Sequence, residues 1–221
     1  MLKVISNTTP ILSFIKLNRL DILEKIYKEI IIPEAVYQEL EKGKNKYYID
    51  ISNKCWIKIF KVRNRNLTRK LEKDLDKGEA EAIALSLEIS ADLLLIDEKL
   101  GREIAKEKGI KITGTIGVLL KAKKKGIIKE VKPLIYELIE KGNYYKETFI
   151  KLVLKHAGEI WRKSENFNYS KHYEIDVEHI DLNDSFELEG MLHTRGEVEP
   201  ANKELRNKLK ILKENISLLY P

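Results

Sequence analysis

The chain opens on a short apolar run, LKVIS, that meets polar residues at NTTP, and the same change recurs at EIIIP and at DLLLIDEK. Short continuous apolar runs with polar boundaries suit strands buried on both faces of a parallel sheet. Between them the apolar spacing becomes helical. TTPILSFIKL predicts a helix with Thr9 as N-cap and Pro10 as its first residue, so Asn7 is not needed as the cap. DILEKIYK predicts a second helix, and Pro33 opens a third that carries Glu39. CWIKIFKV alternates as a strand does, and NLTRKLEKDL predicts a helix that stops near Gly78. EAEAIALSLE, EKLGREIAKEK and TIGVLLKAKKKG then read as helices separated by the strands DLLLI and KITG, with VKPLIYELIEKG and KETFIKLVLKHAG as two more helices. This alternation predicts an α/β fold, a central parallel sheet between two helical layers.

From about residue 159 the pattern changes. Residues 1–158 read as one domain, and 159–221 as an acidic appendage that ends in a helix with Leu205, Leu209, Leu212, Ile216 and Leu219 along one stripe. The net charge of +6 conceals this division. The appendage carries 9 Lys+Arg against 13 Asp+Glu, a balance of −4, and residues 1–158 carry 32 against 22, a balance of +10. A basic domain suits a polyanion such as RNA.

Composition narrows the class further. The single Cys55 rules out an intramolecular disulfide. No apolar run reaches the roughly 18 residues of a membrane span, and MLKVISNTTP lacks a secretory apolar region, so a cytoplasmic location without membrane contact is expected. The charged share of 34%, with abundant Ile, Lys and Glu, suggests a thermophilic source. Neither a Walker loop nor a G-x-G-x-x-G fingerprint occurs, which weighs against a nucleotide-binding doubly wound domain.

If LKVIS and DLLLI are neighbouring strands, Asn7 and Asp97 emerge together at carboxyl ends, where open α/β sheets form their binding crevices. Glu39 and Glu79, on predicted helices, complete a ring of oxygen ligands whose mutual repulsion calls for a divalent cation. Each has a simpler reading alone: Asp97 as an N-cap, Glu79 as an acid in a first helical turn, Glu39 as a solvated carboxylate. Glu81 and Glu98 compete for register, and helix geometry is expected to point them elsewhere. His156, His172, His179 and His193 have no compact ligand spacing.

Taken together, VISNTTPILSFIKLNRLDIL, IIPEAVYQEL, KGEAEAIALSLEISADLLLIDEKLGREIA and KITGTIGVLLKAKKKGII resemble a PIN domain over residues 1 to about 158. They are most similar to the subgroup with an S-[DN]-T-[ST]-P-[IL] start. The resemblance implies a Mg²⁺- or Mn²⁺-dependent ribonuclease fold, often dimeric and common in the toxin halves of VapBC-type toxin–antitoxin pairs, whose partner is a cognate antitoxin. It places the second, third and fourth acidic positions on Glu39, Glu79 and Asp97, and the first on Asn7, where most members have Asp. Thr9 would support that first ligand. One or two such ions would bind the scissile phosphate and lower the pKa of the attacking water. A rival reading takes the neutral Asn7 as the mark of a non-catalytic scaffold that binds RNA or a protein partner.

Arg63, Arg65, Arg69 and Lys70, with Lys61, form a basic strip that could contact RNA phosphates or simply be solvated. The lysines of KAKKKG read more simply as a helix end before a glycine stop. Tyr47, Tyr48 and Trp56 could stack on bases, although aromatics beside a strand are more often packing residues.

Overall fold

The computed structural model describes residues 2–42 and 49–161. Its strands β1 (Val4–Ser6), β2 (Ile30–Pro33), β3 (Ile57–Phe60), β4 (Leu93–Leu95) and β5 (Ile112–Thr113) form one sheet of order β3-β2-β1-β4-β5, parallel throughout. The connecting helices are α1 (Thr8–Lys16), α2 (Asp21–Tyr27), α3 (Glu34–Lys42), α4 (Arg65–Leu71), α5 (Lys77–Glu88), α6 (Lys99–Glu107) and α7 (Thr115–Lys124). Two more, α8 (Lys132–Glu140) and α9 (Glu147–His156), follow the last strand. The appendage stripe, Tyr47, Tyr48, His172, His179 and His193 lie outside the described residues.

Strand alternation divides the core in two. Val4, Ile30, Ile32, Leu93 and Leu95 pack on one face with residues of α1, α2, α7, α8 and α9, while Ile5, Ile31, Leu94 and Ile96 pack on the other with residues of α5 and α6. Every strand residue of β1, β2, β4 and β5 is buried, which is why these strands read as unbroken apolar runs. The three expected layers are therefore present. The chain winds outward from β1 to β3 and then returns to β4 on the other side of β1, so the topological switch point lies between β1 and β4.

Two boundaries differ from those expected. α1 begins at Thr8, two residues early, with Asn7 in the N-cap position in extended conformation but making no side-chain cap bond. The Thr9 hydroxyl turns to Glu98 instead of capping α1. α4 stops at Leu71, well short of Gly78, because buried Leu71 and Leu75 turn the chain inward and Asp76 starts a new helix by accepting from the Glu79 N–H at 2.8 Å. Gly78 thus lies in the first turn of α5.

Packing continues past α9. Glu159 accepts from the Val131 and Lys132 N–H groups at the start of α8, at 2.7 and 2.9 Å, and pairs with Lys123 of α7 at 2.7 Å. These donors hold its carboxyl below the usual range against the opposing effect of burial. Among the described residues no helix is long and apolar enough to cross a membrane.

Candidate active site

At the switch point, the Asn7 N–H donates to the Leu95 carbonyl at 2.9 Å, extending the β1–β4 ladder one step beyond the strands. Asn7 is consequently buried, only 2% exposed. Its Nδ2 donates to Glu98 Oε2 at 3.2 Å, and its Oδ1 has no hydrogen-bond partner. The first turn of α1 supplies two more donors: Thr8 Oγ1 to Glu39 and Thr9 Oγ1 to Glu98. Glu39, in the second turn of α3, also accepts from the Gly78 N–H at 2.9 Å. That approach requires glycine, since a Cβ at residue 78 would stand 2.5 Å from Glu39 Oε2.

Glu79 follows directly, in the same turn of α5. Its side chain is buried and Oε1 has no hydrogen-bond partner. Burial, followed by repulsion from Asp76, Glu98 and Glu39, pushes its carboxyl up to about 7, despite the bond from its own N–H to Asp76. Glu98 is raised too, by burial first and then by the neighbouring Asp97 charge, with the Thr9 hydroxyl opposing. Four carboxylates therefore act on one another around two buried oxygens that lack partners. Among the described residues, no three acidic, histidine or cysteine side chains already converge closely enough to ligate an ion. The donors are nevertheless all hard oxygens, the type that Mg²⁺ and Mn²⁺ prefer.

Asp97 and Glu98 divide differently from the expectation. The buried Asp97 carboxylate accepts from the Thr115 N–H at 2.7 Å and from the Thr115 hydroxyl at 2.6 Å, which directs it to the start of α7. Gly114 makes room for it, because a Cβ there would lie 2.3 Å from Asp97 Oδ1. Glu98, expected to point elsewhere, is the carboxylate that meets Asn7 and Thr9. Asp97 is also not the N-cap of α6; residue 98 holds that position. The structure thus gathers Asn7, Glu39 and Glu79 with Glu98 and Asp76, and sets the Asp97 oxygens against Thr115.

Sequence comparison matches residues 3–159, well over half of the chain, to the family described as DUF3368: PIN domain. The chain belongs to the PIN-domain family. The five-stranded parallel sheet with helices on both faces agrees with that assignment, and a PIN domain is a nuclease-type fold. No curated protein matched the chain.

Within this PIN domain the basic strip divides as well. Arg65 donates to the buried Glu81 at 3.2 Å, and Glu81 also accepts from the Ala35 N–H at 3.1 Å at the start of α3. Arg65 therefore ties α4 and α5 to the helix that carries Glu39. Lys61, Arg63, Arg69 and Lys70 are exposed. Lys121 lies over the Tyr27 ring and Lys123 pairs with Glu159, so those lysines of α7 serve packing, and Trp56 is buried in the core. Sequence reasoning overlooked Asp76, although D-x-x-E at a helix start is a capping pattern and signalled it. Thr8 and Thr115 lie within the S-[DN]-T-[ST]-P-[IL] start and the KITGTIG segment but were given no role of their own.

Proposed function

We propose that this PIN domain is a divalent-metal-dependent ribonuclease, with the switch-point cluster as its active site. The observation that carries the reading is the pair of buried, partnerless oxygens, Asn7 Oδ1 and Glu79 Oε1, set among carboxylates that repel Glu79. Leaving such groups unsatisfied costs about 1–3 kcal/mol each. A site that keeps this cost is suited to a ligand that removes it.

Asn7, Glu39, Glu79 and Glu98 would hold Mg²⁺ or Mn²⁺, with Asp76 at the margin. When bound, such an ion neutralises charge on a scissile phosphate and lowers the pKa of an attacking water. The chain's own residues do the positioning. Thr8 and the Gly78 N–H fix both Glu39 oxygens, Thr9 and the Asn7 amide orient Glu98, and Asp97 anchors the end of β4 to α7 through Thr115. Lys61, Arg63, Arg69 and Lys70 are placed after β3 and on α4 to contact the RNA backbone, where phosphate contacts position without reading sequence.

Cleavage of a single-stranded RNA tests the proposal. Activity should require Mg²⁺ or Mn²⁺, disappear in EDTA, and be lost in Glu79→Gln and in Glu98→Gln. RNA cleavage by purified protein that persists in EDTA, or survives both substitutions together, would contradict it. A correctly folded protein that binds RNA but neither cleaves it nor binds either ion would favour the scaffold reading that the neutral Asn7 invites.

A further inference from the structure

Among the described residues the outer edge of the sheet is open and basic. β3 lies at one end of the strand order, and among the described residues no strand pairs with its far side. Whereas the other strands are buried throughout, β3 is exposed at three of its four positions, with Ile59 40% and Phe60 43% exposed. Successive strand residues point to opposite faces, so apolar surface is uncovered on both sides of this edge. Lys58, Lys61 and Arg63 are exposed along the same stretch, and residues 57–65, IKIFKVRNR, contain no acid. Lysines alone would be ordinary protection of a bare edge. Two large exposed apolar residues between them are not.

The chain also contains the complement. Residues 174–182 read EIDVEHIDL, in which acids at 174, 176 and 178 alternate with Ile175 and Val177, followed by Ile180, Asp181 and Leu182. The segment carries four acids and no Lys or Arg. Residues 162–173 separate it from the last described residue, a length of chain that spans up to about 40 Å when extended. Tethering at such a length raises the local concentration of the segment to the millimolar range.

We propose that residues 174–182 dock in cis along the outer edge of β3 as an added strand. Main-chain hydrogen bonds would continue the sheet, Ile175 and Val177 would cover Phe60 on one face, and Glu174, Asp176 and Glu178 would face Lys61 and Arg63 on the other. This is β-augmentation by the chain's own acidic segment. Lys61 and Arg63 also belong to the proposed RNA-contacting strip, and exchange measured without RNA reads the docking alone.

Hydrogen–deuterium exchange on the full-length protein tests it. Amides of residues 174–182 should exchange at least tenfold more slowly than unstructured-peptide rates. The doubly substituted Lys61→Glu/Arg63→Glu protein should lose this protection while β1 and β4 stay protected, and Asp176→Lys/Glu178→Lys in the same chain should restore it. Ile175→Asp with Val177→Asp should abolish it from the segment side without touching the domain. Exchange of 174–182 at free-peptide rates in the unsubstituted protein overturns the proposal. So does protection that neither set of substitutions changes, or protection that rises with protein concentration, which would assign the strand to a second copy.

Discussion

Glu79 and Glu81 stand two residues apart on α5, both buried, yet they are treated in opposite ways. Glu81 is satisfied: Ala35 N–H binds one oxygen and Arg65 the other. Glu79 has one oxygen without a partner and three carboxylates acting on it, and its carboxyl is raised to about 7. A buried charge with donors and a counter-ion is structural material. One packed against like charges is destabilising to the empty protein, and such groups concentrate where a ligand or a reaction uses them. The lesson is that burial of an acid does not mark a site; the character of its partners does.

The largest expected effect breaks the structural half of this comparison. Glu81→Ala leaves the Ala35 N–H buried without an acceptor and removes the counter-ion of Arg65, so it should cost about 2–4 kcal/mol in urea unfolding. Arg65→Ala keeps the Ala35 N–H bond but leaves the buried Glu81 carboxylate without its counter-ion, so it should destabilise by a comparable amount.

The next effect has the opposite sign. With its folded pKa above its unfolded value of 4.5, Glu79 binds more protons in the native state, so its contribution is fully present below pH 4.5 and is lost as pH rises toward about 7. Metal-free protein should therefore lose up to about 3 kcal/mol across that window. Glu79→Gln should remove this dependence and make the metal-free protein more stable at pH 8, but not at pH 4. Denaturant melts at both pH values in EDTA check it. A Gln variant less stable than the parent at pH 8 would mean that Glu79 is not electrostatically strained.

A smaller effect concerns Asn7. Its amide oxygen can face a hard cation but brings no formal charge, so Asn7→Asp should tighten Mg²⁺ or Mn²⁺ binding about tenfold, about 1.4 kcal/mol. Calorimetry on both proteins measures it, and equal affinities would place this side chain away from the ion. Smallest is the basic strip: Arg69→Ala with Lys70→Ala should weaken RNA binding by a few-fold and lower the slope of log affinity against log salt by about 1–2. An unchanged slope would remove α4 from the RNA surface.

The fold was legible in the sequence because parallel strands buried on both faces must be unbroken apolar runs, and LKVIS, EIIIP and DLLLI were visible as such. Helix ends were less so. The stop at Leu71 depends on Leu75 packing inward, a consequence of tertiary structure, and on Asp76 capping the next helix, a local bond that the D-x-x-E pattern carried. The site was legible as far as its neighbourhood. Asn7, Glu39 and Glu79 do gather, but the choice between Asp97 and Glu98 rests on register. Ser6 pairs with Leu95, so Asn7 falls level with Ile96, and Asp97, one residue further, turns to the opposite face and meets Thr115. A one-residue offset reverses a strand side chain, and no sequence spacing encodes which offset the sheet adopts. Glu98 then returns to the face that Asn7 occupies.

The central claim is that the strained Glu79 cluster, with Glu98 rather than Asp97 directed into it, binds a divalent cation. Mn²⁺ binding at pH 8, followed by electron paramagnetic resonance of the free ion, tests this most directly across the parent protein, Glu79→Gln, Glu98→Gln and Asp97→Asn. The account predicts that the parent binds Mn²⁺, that Glu79→Gln and Glu98→Gln each weaken binding at least tenfold, and that Asp97→Asn weakens it less than either. Binding that survives Glu79→Gln unchanged, or that depends on Asp97 and not on Glu98, would contradict it.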